Sequence, residues 1–228
     1  MGKKTYYLDR FFKRQRAPVE DAAPPPEKGA ARFFFLLTTH LSKLFILNML
    51  FLVFCLPVIT IPAAVAGMSR VCMLLVRNGV SFIWTDFITE VKASFLKSIP
   101  VFISCAVFIG LACFCFISSQ NSKESPFFLI SISVFLLIMG LLIGCYAFAM
   151  LSMCSLRIRD ILKNALSLFF LEPKADLALV LFVGVIAVAF IWLLPYTIPL
   201  AFILFALLSL ISSIIVNEPL ERRIIKEQ

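Results

Sequence analysis

The sequence predicts an all-α membrane protein, a polytopic helical bundle of five to six transmembrane segments with two amphipathic cytoplasmic helices. Composition is the first observation behind this prediction: 61% of the 228 residues are hydrophobic, 15% are charged, and the mean hydropathy is +1.02. A soluble domain carries about a quarter of its residues as charges. The second observation is that the charges stand in short blocks between long apolar runs, the pattern of membrane helices joined by loops.

The chain divides into a leader and a single transmembrane helical domain. Residues 1–32 form a polar, basic leader, in which three consecutive prolines from Pro24 and a glycine at Gly29 favour an extended conformation. This leader is too long for the charged region of a cleaved signal peptide, so no cleavage is predicted. Residues 33–228 form the transmembrane domain.

Six apolar segments follow the leader. Five of them have the length needed to cross a bilayer: 33–56, 99–118, 127–154, 177–195 and 199–216. The sixth, 58–76, contains Arg70 and is weakened as a helix by Pro62. It either crosses the membrane or returns to its own side as a re-entrant hairpin.

Two connections between these segments have the periodicity of amphipathic helices. In the first, apolar side chains recur at steps of three and four opposite Asp86 and Glu90, which are expected to face water. In the second, the same spacing joins Leu162, Ala165, Leu166 and Phe169 opposite Arg159, Lys163 and Asn164. Both helices are predicted to lie along the cytoplasmic surface, and the apolar residues of the first are Trp84, Phe87, Ile88, Val91 and Phe95.

The charge distribution predicts the topology. If the chain returns to its starting side after Pro57, all but two of the 21 lysines and arginines lie on one side of the membrane. The exceptions are Arg70, within the membrane, and Lys123, outside. Since basic residues are enriched in cytoplasmic loops, both termini are predicted to be cytoplasmic.

The break around Pro57 is the main candidate for a structural or functional site. Pro57 and Pro62 leave the carbonyls of residues 53 and 58 without their usual donors, and the Thr60 hydroxyl can bond such groups locally. Asn48 or Tyr146 could reach the break from elsewhere. The break is either a corner at the outer interface, wetted by water, or a deeper discontinuity lining a cavity, as in transporters.

Arg70 completes the candidate residues, which are Asn48, Pro57, Thr60, Pro62 and Arg70. Its long side chain either snorkels to the interface or has a buried role. The single histidine, His40, and seven cysteines in apolar segments form no recognisable catalytic or metal-binding motif. The protein is therefore predicted not to be an enzyme, to hold no cofactor or metal, and to bind no nucleic acid.

The run from Leu47 to Gly67, followed by Met73 to Ile99, resembles the YesL-like family of bacterial integral membrane proteins of unknown function. The matching positions are Asn48, Leu56, Pro57, Thr60, Ile61, Pro62, Ala63, Asp86 and Phe87. The family has a glycine before the second proline, whereas here Ile61 precedes Pro62 directly, and this changes the shape expected for the turn. The resemblance covers the N-terminal half of the chain best.

The resemblance implies a multi-pass protein of the bacterial plasma membrane with an accessory or regulatory role linked to carbohydrate uptake. Its partners would be the lipid bilayer and transporter subunits or other membrane proteins. The alternative is a membrane scaffold or assembly factor that acts through protein contacts. The resemblance assigns no catalytic residue and no substrate site to this chain.

Overall fold

The computed structural model describes residues 30–79, 81–121, 126–154, 156–192 and 198–222, so the predicted leader lies outside it except for residues 30–32. Within these ranges the chain is built from α-helices, without strands, and the all-α prediction is confirmed. The elements are α1 (Ala30–Cys55), a 3-10 turn (Val58–Thr60), α2 (Ile61–Asn78), α3 (Ile83–Asn121), α4 (Pro126–Met153), α5 (Ile158–Leu171), α6 (Pro173–Trp192) and α7 (Ile198–Leu220).

Several of the described helices have the dimensions of membrane spans. Four stretches are long and apolar enough to cross a bilayer: Phe35–Cys55, Val58–Asn78, Ile83–Gln120 and Pro126–Met153. A shorter apolar stretch, Phe205–Leu220, lies in α7. The architecture is that of a multi-pass membrane protein.

Helix α2 is the centre of this bundle. It contacts α1, α3, α4 and α7. In its most apolar stretch 61% of the residues are buried, compared with 17–39% in the other three candidate spans. Segment 58–76 forms a short 3-10 turn followed by a regular helix, and the stretch Val58–Asn78 is long enough to cross a bilayer. Ala63, Ala64, Ala66 and Gly67 on α2 are buried, and such small residues let neighbouring helices approach closely.

Helix α3 differs from its prediction. The expected first amphipathic helix and the span at 99–118 form one continuous helix of 39 residues with Pro100 inside it, about 58 Å long at 1.5 Å per residue. A proline removes only one helical hydrogen bond, and packing on neighbouring helices compensates for that loss in a bundle. Pro100 therefore does not separate a surface helix from a span.

Helix α5 corresponds to the second predicted amphipathic helix. Its buried face is formed by Ile161, Ala165 and Leu168 and lies in the same core cluster as the C-terminal half of α4, whereas Leu166, predicted on the apolar face, is 39% exposed. The ring of Phe169 also lies 6.4 Å from that of Phe135, near the middle of α4. The apolar face of α5 therefore packs against the bundle.

Candidate functional site

The broken helix closes on its own backbone. Helix α1 ends before Pro57, and the single proton of the Thr60 hydroxyl is shared between the carbonyls of Phe54 and, at 2.6 Å, Pro57. The amide of Leu56 donates to the Val53 carbonyl at 3.3 Å. The Ile61 amide likewise donates to the Val58 carbonyl. The carbonyls of residues 53 and 58, which lack their usual helical donors, are thus each bonded by the amide three residues later.

The two prolines occupy positions that suit them. Pro62 is the second residue of α2, within the first turn, where an amide hydrogen has no helical partner to lose. Pro57 precedes the 3-10 turn in an extended conformation. The apolar side chains around it face outwards from the bundle: Leu56 is 81% exposed, Val58 77% and Ile59 71%. The break therefore presents apolar side chains on the outside of the bundle.

Asn48 and Tyr146 were the other candidates for bonding the break. Asn48 is fully buried on α1, two turns before the helix ends. Tyr146 lies elsewhere: its hydroxyl is 2.8 Å from a carboxylate oxygen of Asp176 and connects α4 to the first turn of α6. The Thr60 hydroxyl bonds the backbone of the break directly.

Arg70 connects α2 to the end of α4. Its Nη1 donates to the carbonyl of Ser152, in the last turn of α4, and lies 3.5 Å from the sulfur of Met153. The last carbonyls of a helix have no helical donor and carry partial negative charge, so a guanidinium there caps the helix. Arg70 is half-buried, and its role is to hold a helix end in the bundle.

Arg77, one residue before the end of α2, makes an equivalent contact with α7. Its Nε donates to the side-chain oxygen of Asn217 at 2.7 Å. The two arginines stand seven residues apart and therefore on one face of α2. Together they link α2 to the C-terminal ends of α4 and α7.

The turn between α2 and α3 is held by side chains from both sides. Gly79 adopts a left-handed conformation (φ 69°) and its amide caps Leu75, a common helix ending that favours glycine. The Gly79 carbonyl accepts a bond from His40 Nε2 at 3.0 Å, at a kink in α1. Asp86 then accepts bonds from the Ser81 hydroxyl (2.9 Å) and the Phe82 amide (2.8 Å).

This arrangement corrects one expectation. Asp86 was predicted to face water on the polar side of an amphipathic helix, but it is 6% exposed. Its carboxylate reaches back to the amide that precedes α3, where the helix has donors without helical acceptors. Asp86 is therefore a buried helix cap, while Glu90, one turn later, is half-buried.

A close contact joins α2 to α3 beside the break. A Cβ atom built on Gly67 would lie 2.9 Å from Val91 Cγ2 and 3.0 Å from Phe87 Cδ2. Phe87 is fully buried, and its ring packs edge-on against that of Phe54 at 5.4 Å. The glycine lets α3 approach α2 at the level where α1 ends.

The Tyr146–Asp176 pair is buried between α4 and α6. Tyr146 is fully buried and Asp176 is 8% exposed. Burial raises the pKa of Asp176 above its usual value; the bond from Tyr146 opposes this shift, and the charge of Glu172 adds to it. The carboxylate also stands in the first turn of α6, where the helix dipole favours a negative charge.

A second close glycine contact, between α3 and α4, was not predicted from the sequence, although a short sequence motif indicates it. Gly140 and Gly144 on α4 form a Gly-xxx-Gly pattern, which is typical of closely packed membrane helices. A Cβ on Gly140 would lie 2.8 Å from Phe108 Cβ, and one on Gly144 3.2 Å from Cys105 Sγ. This pattern fixes α3 against α4.

The candidate residues lie in different parts of the described bundle. Among the described residues, no group of three or more histidine, cysteine, aspartate or glutamate side chains could hold a metal ion. The candidate residues Asn48, Pro57, Thr60, Pro62 and Arg70 do not converge on one point. Pro57, Thr60 and Pro62 form the corner, Asn48 lies in α1, and Arg70 contacts the end of α4.

Comparison with known proteins finds one family model that is similar to part of the chain. No curated protein and no solved structure matches the chain. Residues 44–116 match a family described as "Protein of unknown function, DUF624". This match begins in α1, includes the break, α2 and the α2–α3 turn, and ends within α3; it covers less than half of the 228 residues.

Proposed function

We propose that this protein is an accessory membrane component that acts through contacts with other membrane proteins, and that it catalyses no reaction itself. One observation carries the proposal: three polar side chains of the apolar helices each connect one part of the bundle to another. Arg70 binds the end of α4, Arg77 binds α7, and Tyr146 binds Asp176 on α6. A conducting pathway or a catalytic site would need such groups to face a substrate.

The corner at Pro57 supports the same interpretation. In transporters, discontinuous helices direct backbone groups towards an ion or a substrate in a cavity. Here the Thr60 hydroxyl is directed to the backbone of its own corner, while the neighbouring side chains face outwards. This geometry favours a fixed corner over a binding site within the membrane.

The resemblance to the YesL-like family supports the partner class. It implies an accessory or regulatory role in carbohydrate uptake, with transporter subunits as partners in the bacterial plasma membrane. In this proposal six helical segments cross the membrane, both termini are cytoplasmic, and the N-terminal part of α3 and helix α5 lie at the cytoplasmic side. The positive-inside distribution of lysine and arginine supports this orientation.

The second candidate function is a general scaffold or assembly factor. It rests on the same observation, since a bundle held together by its own polar groups suits either role. The two candidates differ in the partner: a carbohydrate transporter in the first, and membrane proteins unrelated to uptake in the second.

Affinity purification from native membranes in mild detergent distinguishes them. Co-purification of transporter subunits supports the first function, and recovery of other membrane assemblies supports the second. Reconstitution of the purified protein alone into liposomes is the counter-test. If these liposomes take up radiolabelled mono- or oligosaccharides above the level of empty liposomes, the accessory role is wrong.

A further inference from the structure

The two arginines of α2 form a compact basic cluster. They stand two helical turns apart on one face of the helix, about 10 Å along its axis, and their charges interact. Arg70 donates to the Ser152 carbonyl and approaches the Met153 sulfur, while Arg77 donates to Asn217. All of these partners are uncharged.

The charge of this cluster is incompletely compensated. In the described ranges no carboxylate lies within 4.0 Å of either guanidinium. Glu90 and Glu221 act on Arg70 and Arg77, respectively, only from a longer range. The Nη2 atom of Arg77 is also buried without a hydrogen-bond partner among the described residues. Buried charges in proteins are normally paired and hydrogen-bonded.

We propose that Arg70 and Arg77 form a binding site for a phosphate group at the ends of α4 and α7. The planar guanidinium matches the geometry of phosphate oxygens and binds them through two parallel hydrogen bonds. A phosphate between the two side chains would separate their charges and supply the acceptor that Arg77 Nη2 lacks. Because Nη2 is enclosed, an anion could reach it only if the Arg77 side chain turned towards Arg70.

Two sources share this chemistry: the headgroup of an anionic phospholipid and free inorganic phosphate. Basic clusters between membrane helices bind lipid headgroups. Arg157 and Arg159 follow the end of α4 in the sequence and are exposed. The site is independent of the proposed accessory role, since it requires only the fold.

The test uses the full chain, purified in a neutral detergent and stripped of lipid. Its melting temperature is measured during titration with phosphatidylglycerol, with phosphatidylcholine as the uncharged-lipid control, and with inorganic phosphate. Phosphatidylglycerol should raise the melting temperature, phosphatidylcholine should not, and Arg77→Gln should weaken the apparent affinity for phosphatidylglycerol at least tenfold. Arg222→Gln is the matched control, because Arg222 is exposed and pairs with Glu218.

The outcomes separate the sources. A response to phosphatidylglycerol alone supports a lipid headgroup, and a saturable response to inorganic phosphate supports the free anion. If neither raises the melting temperature of the unmodified chain, or if Arg77→Gln and Arg222→Gln respond alike, the site does not exist. If Arg77→Gln fails to fold, Arg70→Lys is measured instead, because lysine keeps the positive charge but lacks the two parallel N–H donors of the guanidinium. An affinity for phosphatidylglycerol equal to that of the unmodified chain would then overturn the proposal.

Discussion

Replacement of Thr60 by valine tests whether the corner at Pro57 is sealed from water. Valine keeps the shape of the side chain and removes the hydroxyl. The Pro57 carbonyl would keep the Thr60 amide as a donor at 3.0 Å, but the Phe54 carbonyl would lose the hydroxyl that bonds it. In a continuous helix the Val58 amide would donate to the Phe54 carbonyl, but here Val58 lies beyond Pro57 in the 3-10 turn.

The expected cost follows from the fate of this carbonyl. A buried acceptor left without a donor costs about 1–3 kcal/mol, whereas water would reduce the loss at a wet corner below ~1 kcal/mol. For a chain of this size, each kcal/mol corresponds to about 2–4 °C in melting temperature. Thermal unfolding in detergent, followed by tryptophan fluorescence, should therefore show a decrease of more than ~2 °C.

Thr85→Val provides the control. The Thr85 hydroxyl also bonds the carbonyl three residues earlier, at 3.1 Å from Phe82, but Thr85 is exposed near the start of α3. Its replacement should change the melting temperature little. Equal effects of the two substitutions would show that water reaches the Phe54 carbonyl, and the reasoning about a sealed corner would be refuted.

Four further predictions follow from the packing and the charges. Gly67→Ala should destabilise the protein by about 1–3 kcal/mol because its methyl group would overlap Val91 and Phe87, whereas Gly110→Ala, with no atom within 4 Å of the new methyl group, should be neutral or slightly stabilising in the same unfolding assay. Asp86→Ala should cost about 1–3 kcal/mol through the loss of the Ser81 and Phe82 bonds; a cost no larger than that of Asp160→Ala, an exposed aspartate in the first turn of α5, would contradict the capping role. Since burial raises the pKa of Asp176, the folded state binds the proton of this carboxyl group more tightly than the unfolded state, so its contribution to stability is present at low pH and is lost as the pH rises through the raised pKa. Asp176→Asn should flatten that part of the stability–pH profile. An unchanged profile would contradict the raised pKa of Asp176. In a background without the native cysteines, Gln120→Cys should react with an impermeant thiol reagent in intact cells and Lys163→Cys should not, both positions being exposed; reversed labelling would overturn the cytoplasmic assignment of the termini.

The sequence predicted those features that depend on neighbouring residues. Pro57 and Pro62 interrupt the helix wherever it lies, and Thr60 is close enough along the chain to bond the freed carbonyls, so the corner could be derived from steric and hydrogen-bond rules alone. The positions of the helices followed in the same way from the length of the apolar runs. Pro100 was the exception, because packing in a bundle can keep a proline inside a helix.

The features that were missed depend on residues far apart in the chain. Arg77 and Asn217 are 140 residues apart, and Tyr146 and Asp176 are 30 residues apart. Periodicity assigns a residue to a helix face without saying which neighbour covers it. For this reason Asp86 was assigned to the wet face of an amphipathic helix, although the turn after Gly79 folds Ser81 and Phe82 over its carboxylate.

Among the polar contacts that residues 44–116 make, two kinds differ in relation to the family match. The Thr60–Phe54 and Ser81–Asp86 bonds begin and end inside residues 44–116 and fix the shape of the α1–α2–α3 unit. The bonds of Arg70 and Arg77 begin inside those residues and end on α4 and α7, outside them. A guanidinium can bond a main-chain carbonyl such as that of Ser152 whatever side chain the partner residue carries, because the acceptor belongs to the backbone. The attachment of α4 through Arg70 therefore places little constraint on the residue at position 152, whereas the attachment of α7 through Arg77 requires an acceptor side chain at position 217.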